Sequence, residues 1–406
     1  MLLAARWLSW IVIASACASG RSAPQPARSP TAAATSPTPP TNASRSGDAT
    51  FRELRVGTSG DYAPFAVTNA SGVLSGFDVE IAQQLARDLG MRVRWVTFRW
   101  PSLAQDVASD AFDVAMGGIT WQPARGVLGY LTRAVARGGP CVLGDAAAVR
   151  VGVNRGGVLE AWARGRFGGR ELVVVDENRS LPTLLAHHDV GAIVTDSFER
   201  KSFARPGWDV SCEPPRLRKV YWVGPAHARE LGPRIDAWLR ENGAAVRAAQ
   251  LRWFGEPQRF DATAHLLDLL ARRFAFMPIV AALKAQKHLP IEDSAREREI
   301  LTGMSFNAHR FGLPELPLLD LFTRLIELSK AVQRRQQEPV ALDLKVQIRP
   351  ALDELGERIL EALVEARQAH ELAGLAPSDL EMLDPWLSRE EQQELTVALR
   401  ALDAAP

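Results

Sequence analysis

At 406 residues the chain is long enough for two domains of about 100–200 residues each. Its 47 % hydrophobic and 23 % charged residues are those of an ordinary globular protein and exclude a collagen-like or wholly disordered chain. A net charge of +1 provides no long-range field to draw nucleic acid or an anionic membrane, so neither is expected as a partner.

Residues 1–17 read as an export signal. Arg6 precedes the apolar run Trp7-Leu8-Ser9-Trp10-Ile11-Val12-Ile13, which is too short to span a bilayer. Ala14-Ser15-Ala16 fits ordinary signal cleavage, and the same residues before Cys17 resemble a lipobox that would make Cys17 a lipid anchor. Either reading puts the mature protein in the periplasm or outside the cell. Residues 18–50, rich in Pro, Ser and Thr, have almost nothing to bury and are expected to be a disordered linker. With Cys17 lipidated or removed, Cys141 and Cys212 remain, either as a disulfide favoured by an oxidising compartment or as two buried thiols.

Residues 51–256 alternate short β-rich runs with amphipathic helices. Leu54-Arg55-Val56-Gly57 leads into a turn, and Phe77-Asp78 opens a helix with Ile81, Leu85 and Leu89 on one face. Further strands are expected at Val93–Val96, Phe112–Met116, Val151–Val153, Leu172–Val175 and Gly191–Val194. Such alternation predicts an α/β architecture with parallel sheets, whose ligands sit beyond the carboxyl ends of the strands. From 257 to 406 the strand signals stop. Helical spacing runs over 260–288, 291–310, 314–338 and 345–370, with one or two short helices over 376–400, which predicts an all-α domain.

Gly60-Asp61-Tyr62-Ala63-Pro64-Phe65, Gly76-Phe77-Asp78-Val79-Glu80 and Gly118-Ile119-Thr120 with Arg125 resemble the first lobe of a type II periplasmic solute-binding protein. In that superfamily the arginine pairs with a ligand carboxylate, for which a guanidinium fork is suited. Within it, Trp100-Pro101-Ser102-Leu103, Asn154-Arg155-Gly156-Gly157 and Thr195-Asp196-Ser197-Phe198-Glu199 are most similar to periplasmic cyclohexadienyl (prephenate/arogenate) dehydratases, and Cys141, Cys212 and Lys219-Val220-Tyr221 also match. The resemblance implies a two-lobed α/β domain binding prephenate through Asp61, Tyr62, Trp100, Thr120, Arg125, Asn154 and Asp196. Glu199 would then be the acid that protonates the departing hydroxyl, its pKa raised by a dry cleft. Gly117 and Val158 depart from the group, which usually has Ser and Thr there, so two hydroxyl contacts to a carboxylate are missing.

Lys284, His288-Leu289-Pro290-Ile291-Glu292-Asp293 and Arg296-Glu297-Arg298-Glu299 resemble an all-helical chorismate mutase of the exported subclass. Arg273 and Lys284 are eleven apart, within about 20° on one helical face. Ser329 and Gln333 form an i,i+4 pair. The resemblance implies that Arg273, Arg296 and Arg358 clamp carboxylates and that Lys284 and Gln333 donate to the breaking ether oxygen. Glu297 with the Asp293 backbone would take the ring hydroxyl, and Ser329 would support a carboxylate. A pericyclic rearrangement needs no nucleophile or cofactor, only a held conformer and stabilised charge.

Mutase product is dehydratase substrate, so the expected reading is a bifunctional enzyme, without cofactor or metal, that turns chorismate into prephenate and then prephenate into phenylpyruvate, with arogenate to phenylalanine left open for the second step. A second copy of the chain stays open as a partner. Two rivals are an amino-acid-binding module fused to a mutase and a purely structural helical appendage.

Overall fold

The computed structural model describes residues 52–404, so the export signal, Cys17 and the linker lie outside the described residues. Thr50–Pro406 forms one compact unit. Its first lobe opens with β1 (Arg52–Thr58), a small sheet of β2 (Asp61–Tyr62), β3 (Ala66–Thr68) and β4 (Leu74–Ser75), and α1 (Phe77–Asp88). It continues through β5 (Met91–Thr97), α2 (Leu103–Ala108), β6 (Val114–Ala115), α3 (Pro123–Gly126) and β7 (Tyr130–Leu131). In α1, Ile81 and Leu85 face the sheet with no exposure. β1 lies parallel to β5, from Arg52 opposite Met91 to Thr58 opposite Thr97.

The chain then crosses by β8 (Ala136–Gly138) into a second lobe. There β9 (Pro140–Gly144), β10 (Arg150–Asn154), α4 (Val158–Arg166) and β11 (Glu171–Val175) are followed by α5 (Leu181–Ala186), β12 (Ala192–Asp196), α6 (Arg200–Phe203) and β13 (Val210–Cys212). The sheet order is β11-β10-β12-β9-β13, with β10, β11 and β12 parallel. Cys141 and Cys212 face each other across β9 and β13 and are joined as a disulfide, S–S 1.97 Å, which fastens the edge strand. The chain returns by β14 (Leu217–Lys219), antiparallel to β8, so that two strands make the hinge. β15 (Trp222–Val223) then enters the first sheet between β6 and β7, and α7 (Ala228–Glu241) and α8 (Gly243–Phe254) close the lobe.

The helical region follows as α9 (Ala262–Ala275), α10 (Met277–Gln286), α11 (Ser294–Phe311), α12 (Glu315–Arg335), α13 (Arg349–Gln368) and α14 (Arg389–Ala404). The helix expected over 260–288 is interrupted at Phe276, where Pro278 stands in the first turn of α10 and supplies no amide donor. Asp293 caps α11 by accepting from Arg296 N, and Gly312 ends it in the left-handed conformation at φ 64°. A π turn, Leu344–Ile348, precedes α13, and a 3₁₀ turn, Pro377–Leu383, precedes α14.

The change of architecture near residue 256 is not a break in packing. One apolar core runs from Trp121, Leu131 and Trp222 of the first lobe into Leu266, Leu270 and Phe274 of α9, and on to Leu325, Ile359 and Leu399. Every residue of α9 except His265 is buried, because the lobe covers one side and the other helices cover the rest. Among the described residues no helix is long and apolar enough to cross a membrane.

Candidate active sites

The first site lies between the lobes, where parallel strands of the second lobe end. β12 is apolar through Val194 and ends in Thr195-Asp196, and the turn after it carries Glu199. Tyr62, Trp100, Thr120 and Arg125 reach the cleft from the first lobe, and Asn154, Asp196 and Glu199 from the second. Glu199 is 3 % exposed. It accepts from Thr195 Oγ1 at 2.8 Å and from Asn178 Nδ2 at 2.5 Å. Burial pushes its pKa up to about 8, with the Asp196 charge adding to the effect and the Thr195 hydrogen bond opposing it. A carboxyl held protonated at neutral pH is equipped to give a proton away.

Arg125 bonds the Thr120 carbonyl at 2.6 Å and lies over the Trp222 ring at 5.6 Å. It has no carboxylate partner among the described residues, and burial lowers its pKa to about 10. A desolvated cation without a counterion favours an anionic ligand. Asn154 lines the cleft, but its amide is committed to the carbonyls of Val175 and Asp176 at 3.2 Å each. Asp61 is a correction: it does not line the cleft, because its carboxylate turns to the Trp100 indole N–H at 3.3 Å and orients that ring.

Sequence reading did not place Lys219 in the site, although Lys219-Val220-Tyr221 carried part of the resemblance. Its ammonium pairs with Asp196 at 2.9 Å and donates to Tyr62 OH at 2.7 Å and Thr120 Oγ1 at 3.0 Å. Asp78 was missed as well. Its buried carboxylate accepts from Gly117 N at 2.8 Å, Gly118 N at 2.7 Å and Tyr221 OH at 2.9 Å, fixing the turn that leads to Thr120. At Gly117, φ is 130° and an added Cβ would stand 2.8 Å from Thr58 Oγ1, so this backbone does not accommodate the Ser of the dehydratases. The cleft encloses about 70 Å³, room for roughly two waters, so the lobes must part for a larger ligand to enter.

The second site is a cavity of about 690 Å³ within the helical region, a volume usual for small-molecule sites. Arg273 from α9, Lys284 from α10, Asp293, Arg296 and Glu297 from the start of α11, and Ser329 and Gln333 from α12 all line it. Arg273 has a buried Nε without a partner, and burial lowers its pKa to about 10. Lys284 donates to the Ile291 carbonyl at 2.6 Å, and burial lowers its pKa against the pull of Asp293. Arg296 is held by Glu299 at 2.7 Å and by Asp353. Glu297 accepts from Asp293 N at 3.2 Å and pairs with Lys330 at 3.2 Å. Ser329 Oγ donates to the Leu325 carbonyl at 2.6 Å, and Gln333 Nε2 to the Ser329 carbonyl at 3.3 Å.

Arg358 is the second correction. It does not line this cavity but faces the first lobe, donating to the Leu131 carbonyl at 2.8 Å, pairing with Asp236 at 2.9 Å and covering the Tyr130 ring at 4.4 Å. Arg349, nine residues earlier on α13 and so about 180° around the helix, takes the cavity side and pairs with Asp293 at 3.1 Å. Elsewhere, Asp110, Asp113 and His227 converge as metal-ligand types, but Arg55 pairs with Asp110 at 3.0 Å and Asp113 at 2.6 Å and fills that role.

A model of the bacterial extracellular solute-binding proteins, family 3, matches residues 54–376. Cyclohexadienyl dehydratase of Pseudomonas aeruginosa is 32 % identical over 166 residues, 37 % of this chain and 62 % of the dehydratase, so the chain spans less than two thirds of that relative. Secreted chorismate mutase of Yersinia pestis is 28 % identical over 141 residues, 32 % of this chain and 72 % of that protein. The crystal structure of an ancestral amino acid-binding protein, a precursor of cyclohexadienyl dehydratase, is 22 % identical with a TM-score of 0.46, covering 50 % of this chain and 95 % of its own. The chain, with its two-lobed type II fold and helical C-terminal region, belongs to the bacterial extracellular solute-binding proteins, family 3.

Proposed function

We propose that this is an exported enzyme of two consecutive steps, chorismate to prephenate in the helical cavity and prephenate to phenylpyruvate in the interlobe cleft. The observation that carries the reading is the helical cavity, where Arg273, Lys284, Arg296 and Arg349 meet around an apolar wall that includes Phe322 and Ile326. Such a chamber suits a small dicarboxylate with an apolar ring. Arg273 and Arg349 grip its carboxylates, Lys284 and the Gln333 amide donate to the ether oxygen as charge develops there, and Glu297 takes the ring hydroxyl. Homology to a secreted chorismate mutase supports the same reading.

In the cleft, Arg125 holds a prephenate carboxylate. The ring carboxylate leaves as carbon dioxide, its electron pair enters the ring, and the C–O bond to the hydroxyl breaks as Glu199 gives its proton, so water departs. Glu199 is left as carboxylate and is reprotonated from solvent when the lobes open. The division into a dehydratase-like domain to residue 256 and a mutase-like domain from 257, and export by residues 1–17, belong to this proposal.

Family membership favours a second reading, an amino-acid-binding cleft beside a mutase. Against it, Asp196, the carboxylate that would meet a ligand ammonium, is already neutralised by Lys219 at 2.9 Å, with both side chains buried. The same pairing favours the keto acid prephenate over its amino analogue arogenate. The test is to offer the purified chain prephenate, arogenate and a panel of amino acids. Turnover with kcat/KM for prephenate above that for arogenate supports the proposal. Amino-acid binding without prephenate consumption would replace it with the second reading.

A further inference from the structure

Asp268 lines neither the cleft nor the helical cavity. It sits on α9 with no exposure, between Arg218 of hinge strand β14, with which it makes an ion pair, and Arg272 one turn along its own helix at 2.6 Å. Its pKa is lowered although burial opposes this, because Arg272, Arg218 and Arg137 surround it. On β14 successive side chains point to opposite faces. Arg218 therefore points toward α9, while the next residue, Lys219, enters the cleft. There the Lys219 ammonium bridges the lobes, with Asp196 on one side and Tyr62 and Thr120 on the other. The other hinge strand, β8, is tied to the same segment, since Arg137 donates to the Ala264 carbonyl at 2.7 Å and its amide to Gln258 Oε1 at 2.5 Å.

We propose that Asp268 is a positioning residue for the interlobe cleft: from the helical region it fixes Arg218, and through that residue's strand it sets Lys219 between Asp196, Tyr62 and Thr120. The helical region is in this sense part of the cleft's architecture, and the hinge of this chain is buttressed from outside the lobes. The inference rests on the cleft being the dehydratase site. Removing the carboxylate leaves Arg218 and Arg272 as buried cations that repel each other, and β14 shifts to relieve them.

The experiment uses the full chain and two substrates, chorismate and prephenate. Asp268→Asn and Arg218→Gln should each raise KM for prephenate by roughly 10-fold or more while mutase kcat/KM stays within about twofold, the latter reporting an intact helical region. The double variant should be no worse than the poorer single one, because both act on one contact. Arg218→Lys, which keeps a cation at the contact, should recover part of the loss and serves if Asp268→Asn does not fold. Unchanged KM in every variant, additive losses, or mutase and dehydratase falling together would each overturn the proposal. A wild-type chain that never consumes prephenate would instead refute the assignment of the cleft.

Discussion

Glu199 is the side chain whose environment has the most direct chemical consequence. With its pKa at about 8, the acid form predominates below that value and is lost as pH rises through it. Dehydratase kcat should therefore be nearly flat from about pH 6 to 7 and fall to about half near 8, and a profile rising across that range would contradict the assignment. The same shift carries a stability term. A carboxyl whose folded pKa lies above its unfolded value of 4.5 stabilises the fold fully below 4.5, and this contribution is lost as pH rises toward 8. Glu199→Gln should thus lower prephenate turnover by about 10²–10⁴-fold and flatten the decline of melting temperature between pH 5 and 8. Lys284→Ala should lower mutase kcat by about 10²–10³-fold, the scale of one lost oxyanion donor, and leave prephenate consumption as it was. Chorismate turnover unaffected by Lys284→Ala would leave the helical region a structural appendage. Residue types were legible in the sequence, but which way each side chain turns was not. Asp61 and Arg358 were both misplaced because a partner distant in sequence, the Trp100 indole in one case and Asp236 in the other, claims the charge.

At the scale of elements, β1, β5, β6, β10, β11, β12, α1 and the long helices of the C-terminal region followed from periodicity, since β-branched runs and helical apolar spacing both report what must be buried, whereas short strands such as the hinge pair β8 and β14 carry no such signal. Helix ends were less legible. Pro278 divides the first predicted helix, and the π turn before α13 is stabilised by Asp343, whose side chain accepts from Lys345 N and Val346 N, a local contact with no periodic signature. The face of α13 was also hidden, since its apolar stripe serves the other helices while its polar residues divide between cavity and lobe. That division gives a contrast. Arg349→Ala should raise KM for chorismate about tenfold or more with little change in melting temperature, because its ion pair with Asp293 is partly exposed. Arg358→Ala should leave KM for chorismate near its original value and cost about 1.5–3 kcal/mol of stability, the scale of one lost charged hydrogen bond, because the half-buried Asp236 keeps Tyr130 OH and Arg133 N as donors. The opposite pattern in steady-state kinetics and thermal melts would return Arg358 to the cavity.

The two candidate sites lie in one packed unit, and the joint between lobe and helices is tight. A void in the interface between lobe and helices, lined by Trp121, Arg272, Phe276, Glu354 and Arg358, has a volume of about 30 Å³, about one water. A ring dicarboxylate does not pass through it, so prephenate should reach the cleft through solvent. Labelled chorismate supplied with excess unlabelled prephenate should accordingly yield phenylpyruvate of diluted label, and undiluted label would indicate a guarded path. The measurement that tests the central claim most directly is a time course of chorismate, prephenate and phenylpyruvate with the mature protein and its Glu199→Gln variant. The account predicts that the unaltered protein carries chorismate through to phenylpyruvate and that the variant stops at accumulating prephenate. Chorismate left unconsumed by both, or phenylpyruvate formed equally by both, would contradict it.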